Sequence, residues 1–236
     1  MNGNDESLPV ENIRVLSTLM RKDFRLFRGL LIGLICMGLT PYPVILIIAA
    51  QTKDTVKWPD FVSAAATIGM MLTALLASVF GGAAIGGERQ NRTADFLGLL
   101  PITRGQIALS KGVVSFLILA ACTAPHLVVQ VLSLGGTIYF WQNWVNDFVP
   151  AAAIFTGLLI GFFGVAWLLG SFLSSAAISA AVSIAVTITA CVTLAVCMDG
   201  REHRVAFQYC LAALPFAMGT ASLIGGTLYY LKRVES

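Results

Sequence analysis

The chain has 236 residues, of which 57% are hydrophobic and 11% charged, and its net charge is +3. A soluble domain carries about 25% charged residues, so this composition excludes a water-soluble enzyme or binding module and restricts function to work done in or across a bilayer. The basic residues sit in short clusters beside apolar runs rather than in one patch, so nucleic acid is not an expected partner.

The first element is amphipathic. Between Pro9 and Arg28, the residues Ile13, Leu16, Met20, Phe24 and Phe27 recur at three- and four-residue steps, and Arg14, Arg21, Arg25 and Arg28 form a second stripe. An apolar stripe flanked by arginines predicts an interfacial helix over 9–28, lying in the headgroup plane with its guanidinium groups on lipid phosphates. Ser7 followed by Pro9 offers a start signal. The simpler alternative is a charged flank that only orients the first span.

Five stretches then lack Asp, Glu, Lys and Arg altogether: Gly29–Thr52, Phe61–Gly87, Gly112–Asn146, Phe148–Met198 and Val205–Leu231. A crossing needs ~20 mostly apolar residues. Four of the stretches suit one crossing each. Phe148–Met198 would be ~75 Å long as a single helix, and Gly170–Ser175 offers a break, so it reads as two. The expectation is an all-α integral membrane protein of one domain, residues 1–236, with six transmembrane helices at about 29–50, 61–86, 112–134, 148–169, 176–198 and 205–230.

Features inside the spans read first as packing. Gly82/Gly86 and Gly157/Gly161 are small-x-x-x-small pairs that let helices approach closely. Ser175, Ser179, Ser183 and Thr187 make a hydroxyl stripe at four-residue steps, suited to interhelical hydrogen bonds or, as a second reading, to lining a translocation path. His126, beside Pro125, is the one ionisable candidate at depth. A proton relay needs a second such group, so a packed or hydrogen-bonded histidine is expected. The five cysteines lie in apolar runs with no C-x-x-C pair, which predicts neither disulfides nor a metal site.

Placing both termini in the cytoplasm puts eleven basic residues inside, in the clusters 14–28, 89–111 and 232–233. Only Lys53, Lys57, Arg201 and Arg204 then remain outside. The positive-inside bias favours that orientation in a multi-pass cell (inner) membrane protein. Trp58, Trp141 and Trp144 would mark the outer headgroup layer, and Tyr229 and Tyr230 the inner one.

The only long internal loop is 88–111. Thr93 can cap a short helix, Asp95 suits its positive end, and Phe96, Leu97 and Leu100 give it an apolar face. Pro101 stops it. Thr103-Arg-Gly-Gln106 has the pattern of a capping box and starts a second helix. An exposed apolar face on the first helix needs a partner to cover it.

In order, Glu88, Thr93, Asp95, Leu97, Leu100, Pro101, Thr103, Arg104, Ile107 and Lys111 resemble the corresponding loop of type-2 ABC exporter permeases. The six spans, the cytoplasmic termini and the lead-in Lys22-Asp23-Phe24-Arg25 extend the resemblance. Asp95 departs mildly from the usual Glu. Members often carry a larger re-entrant element before the sixth span; here only Asp199–Arg204 is clearly polar, so that element is expected to be small or buried in the apolar run.

The resemblance implies that the loop is a coupling helix docking on a cytoplasmic ABC ATPase subunit through Glu88, Thr93, Asp95, Phe96, Leu97, Leu100, Pro101 and Arg104. It also implies a second permease copy or homologue completing a dimer. No G-x-x-x-x-G-K-[ST] phosphate loop occurs, so ATP and Mg would be bound by the partner ATPase, and this chain would carry no cofactor and no catalytic residue. The expected activity is export of an amphipathic or hydrophobic substrate. The alternatives are a non-transporting membrane anchor or assembly subunit and, less favoured for want of catalytic groups, an intramembrane enzyme.

Overall fold

The computed structural model describes residues 8–51, 58–90, 103–134, 148–198 and 204–232. Seven helices occupy them: α1 Leu8–Leu39, α2 Pro41–Gln51, α3 Trp58–Gln90, α4 Arg104–Leu134, α5 Val149–Phe172, α6 Ala176–Cys197 and α7 Arg204–Lys232. Six segments are long and apolar enough to cross a membrane, α1 and α2 together forming the first, Val15–Gln51. The protein is an all-α, multi-pass integral membrane protein, and no strand occurs among the described residues.

The first crossing differs in detail from expectation. No corner falls between the amphipathic segment and the apolar run, and α1 continues for 32 residues, ~48 Å. The reason is local: no proline interrupts the chain from Val10 to Thr40, and Gly29 and Gly33 weaken a helix by about 1 kcal/mol each without breaking it. The break comes at Pro41, which has no N–H and collides with the carbonyl one turn back. Thr40 closes α1 by donating its N–H (3.1 Å) and its Oγ1 hydroxyl (2.7 Å) to the carbonyl of Cys36.

The break expected near Gly170–Ser175 lies between Phe172 and Ala176. Ser175 is extended, and its Oγ accepts the N–H of Ile178 at 3.4 Å, which starts α6. Pro125 and Pro215 sit inside α4 and α7 without ending them, as is common where neighbouring helices support the freed carbonyls. α7 is unbroken from Arg204 to Lys232, and residues 199–203, where a small re-entrant element was expected, lie outside the described residues.

α5 is the hub, packed on α7, α3 and α6. Its contact with α7 is backbone against backbone: Gly164 meets Gly219, Gly157 meets Ala212, and Gly226 meets Leu168. A methyl group on Gly164 would overlap the Gly219 carbonyl. On α3, a Cβ at Gly82 would lie 2.7 Å from the Ala176 carbonyl oxygen. The small-residue seams are thus used within the chain. Lipid offers no hydrophobic drive between helices, so close dispersion contact is what holds such crossings.

Phe27, Leu34, Phe80, Ile85, Leu119, Phe163 and Trp167 fill the centre of the bundle. The outside is equally apolar. Leu117 is 64% exposed and Val196 80%, as suits helices solvated by hydrocarbon.

Candidate functional site

Six helix ends meet at one end of the bundle: the N-terminal part of α1, the end of α3, the start of α4, the end of α5, the start of α6 and the end of α7. Named contacts tie them together. Ser110 of α4 meets Asp23 of α1, and Gly82 and Gly86 of α3 meet Gly170 of α5. The Phe172 and Tyr229 rings lie 4.1 Å apart, and Arg104 of α4 sits over the Tyr230 ring of α7 at 5.9 Å. The loop between α3 and α4 leaves and returns at this same end.

Its exit is well defined. Thr103 Oγ1 accepts the N–H of Gln106 at 3.3 Å, and Gln106 Oε1 accepts the N–H of Thr103 at 3.1 Å. This is the reciprocal capping box expected from the sequence, and it satisfies two donors that the helix start would otherwise leave open. One turn on, Ile107 and Ala108 are buried, and Ser110 and Lys111 follow on the same inward face.

Ser110 Oγ donates to Asp23 Oδ2 at 2.7 Å, and the Lys111 ammonium lies 4.0 Å from Asp23 Oδ1. Asp23 is 1% exposed and Lys111 3%. A carboxylate and an ammonium removed from solvent together persist only as a pair. The first two turns of α4 are therefore fixed to α1 by a buried ion pair and to α7 by a cation–π contact. Asp23 was legible in the sequence only as part of the lead-in Lys22–Arg25. The missed signal is one acid among Arg21, Lys22, Arg25 and Arg28. It falls on the buried stripe Leu19, Asp23, Phe27, while Phe24, expected on the apolar face, is 49% exposed.

Of the loop positions singled out from sequence, Thr93, Asp95, Phe96, Leu97, Leu100 and Pro101 lie outside the described residues. Glu88 belongs to the last turn of α3, and Arg104 opens α4.

The hydroxyl stripe is interior to the fold. Ser179, Ser183 and Thr187 are fully buried. Ser183 Oγ donates to the Phe162 carbonyl at 2.7 Å, and Ser179 Oγ donates to Ser175 O at 3.0 Å. Thr187 Oγ1 has no partner among the described residues, and its methyl group packs toward Gly161. The stripe serves the contact of α6 with α5 and α3.

His126 is hydrogen-bonded, as expected. Its Nδ1 lies 2.8 Å from Tyr42 Oη, and the two rings stack 7° from parallel. Gly38 and Gly69 leave room for the imidazole: a Cβ at Gly38 would stand 3.1 Å from Nε2. The pair anchors α2 to α4. Nearby, Gln130 Nε2 donates to Ser63 Oγ at 2.8 Å and joins α4 to α3.

No family model matches this chain, and no curated protein or solved structure is similar to it.

Proposed function

We propose that the chain is the permease half of an ATP-driven exporter of the type-2 ABC kind. A separate cytoplasmic ATPase would bind ATP and Mg, and a second permease copy or homologue would complete the pathway. The cargo class would be amphipathic or hydrophobic, in keeping with an interior poor in charge. The single observation that most supports this is the clamped start of α4. A displacement delivered to 91–102 would reach α4 where Asp23 and Tyr230 hold it, so α1, α4 and α7 would move together. α3 and α4 are 33 and 31 residues long, ~50 and ~46 Å. Each exceeds a ~30 Å hydrocarbon core and can act as a rigid lever. The choice of an ATPase as partner is supported by the resemblance of the loop residues from Glu88 to Lys111 to those of type-2 ABC exporter permeases.

The test is association with the partner ATPase and stimulated ATP hydrolysis. An aromatic anchor at an interface centre often contributes ~2 kcal/mol or more, so Phe96→Ala should weaken association roughly 30-fold. Leu100→Ala should weaken it less, and Lys53→Ala should leave it unchanged. Equal behaviour of Phe96→Ala and Lys53→Ala in correctly inserted protein would favour the anchor-subunit alternative.

A further inference from the structure

Along the outside of the bundle α1 and α4 do not close on one another. Between them runs a cavity of 590 Å³, walled by Phe24, Leu31 and Ile35 on one side and Leu117 and Ala121 on the other, and ending at His126. Pockets that hold small ligands span about 300–1,000 Å³. A second hollow of 330 Å³ adjoins it, shares Phe24, Val114 and Leu117, and is flanked by Arg21 and Arg25. From Phe24 to Gly38 the groove follows ~21 Å of helix, slightly more than the ~15 Å depth of one leaflet.

Charge is confined to the mouth of this groove. Arg21 and Arg25 stand one turn apart on the same exposed face of α1, and neither is ion-paired among the described residues. Asp23, the acid nearest to them in sequence, is turned inward and engaged by Ser110 and Lys111. Two guanidinium forks at the entrance of an apolar channel complement a phosphate carrying a hydrocarbon chain.

We infer that the α1–α4 groove binds one anionic phospholipid, its phosphate between Arg21 and Arg25 and one acyl chain laid along Phe24, Leu31 and Ile35 toward His126. The bound chain covers the apolar faces that the protein leaves open. It also bridges the two helices that Asp23 and Lys111 join. The site requires only that the chain sits in a bilayer and is independent of the exporter proposal.

The experiment is native mass spectrometry of the full-length protein in detergent, with phosphatidylglycerol or phosphatidylcholine of identical acyl chains added. Each basic residue near an anionic headgroup contributes about a fivefold preference. The wild type should therefore retain one phosphatidylglycerol roughly 30-fold better than phosphatidylcholine. The double variant Arg21→Gln, Arg25→Gln should lose that preference. Ala121→Trp, which fills an exposed part of the groove, should lose the tightly held lipid of either kind, while Val192→Trp on the exposed face of α6 should not. Equal retention of both lipids by the wild type, or unchanged retention in Ala121→Trp, would overturn the site. So would a dimer that becomes monomeric in Ala121→Trp with no change in lipid, because a second copy would then be the occupant.

Discussion

Replacing Lys111 by Met removes the ammonium beside Asp23 while keeping the length of the side chain. Asp23 would then keep the Ser110 hydroxyl on Oδ2, but its Oδ1 has no hydrogen-bond partner among the described residues. At 4.0 Å the lost attraction is ~4 kcal/mol at an effective dielectric constant of 20. Breaking one side of a buried pair usually costs about 3–5 kcal/mol, and the two figures agree. The double variant Asp23→Asn, Lys111→Met removes both charges and keeps a group able to meet Ser110, so most of the loss should return. Unfolding of purified protein in mixed micelles, titrated with SDS and followed by tryptophan fluorescence, measures Lys111→Met, Asp23→Asn and the double variant against the wild type. A loss under ~1 kcal/mol for Lys111→Met would put the pair in the class of exposed ion pairs. Additive losses in the double variant would show that the two groups do not couple. Either result would refute the clamp between α1 and α4.

Gly164→Leu should abolish folding of the bundle, since even a methyl group overlaps the Gly219 carbonyl. The same substitution at Gly33, which has open space around it, should be tolerated, and yields of folded protein in detergent compare the two. Reporter fusions after residues 55, 100, 142, 173, 202 and 236 should alternate out, in, out, in, out, in; periplasmic activity at residue 100 would reverse the proposed orientation. The isolated chain should bind no ATP at micromolar concentration, because it carries no phosphate loop, and equilibrium dialysis with labelled nucleotide checks this. Crosslinking in native membranes should give a dimer-sized band, and a strictly monomeric permease in an active complex would remove the second copy from the proposal.

The crossings were legible because the requirement that creates them is one-dimensional. Lipid excludes charge over ~20 residues, so a gap in Asp, Glu, Lys and Arg marks a helix without knowledge of its neighbours. The capping box at Thr103 and Gln106 was legible for a similar reason, since both partners lie within one turn. Asp23 and Lys111 were not, because their pairing joins positions 88 residues apart and neither residue signals burial alone. On α1 the face turned to the bundle carries Leu19, Asp23 and Phe27, so a carboxylate joins the inward stripe, while Phe24 stays on a face that hydrocarbon can cover. The glycine pairs read correctly as contact surfaces, yet sequence could not say which helix each would meet. Gly82 and Gly157 are both covered within the chain, so they supply no argument for contact between two copies.

The crossing of α5 and α7 also bears on how the protein is made. α7 is the last of the described helices to be synthesised, and α6 separates it from α5 in the chain. Roughly 60 residues after Phe172 must be translated before Gly219 and Gly226 can reach α5, which at ~5–20 residues per second takes about 3–12 s. Through that interval the glycine face of α5 has entered the membrane but lacks its mate. A chain stopped before Arg204 would insert five crossings and still leave Gly157 and Gly164 uncovered, an incomplete surface by which a membrane chaperone or protease could distinguish the unfinished molecule from the finished one.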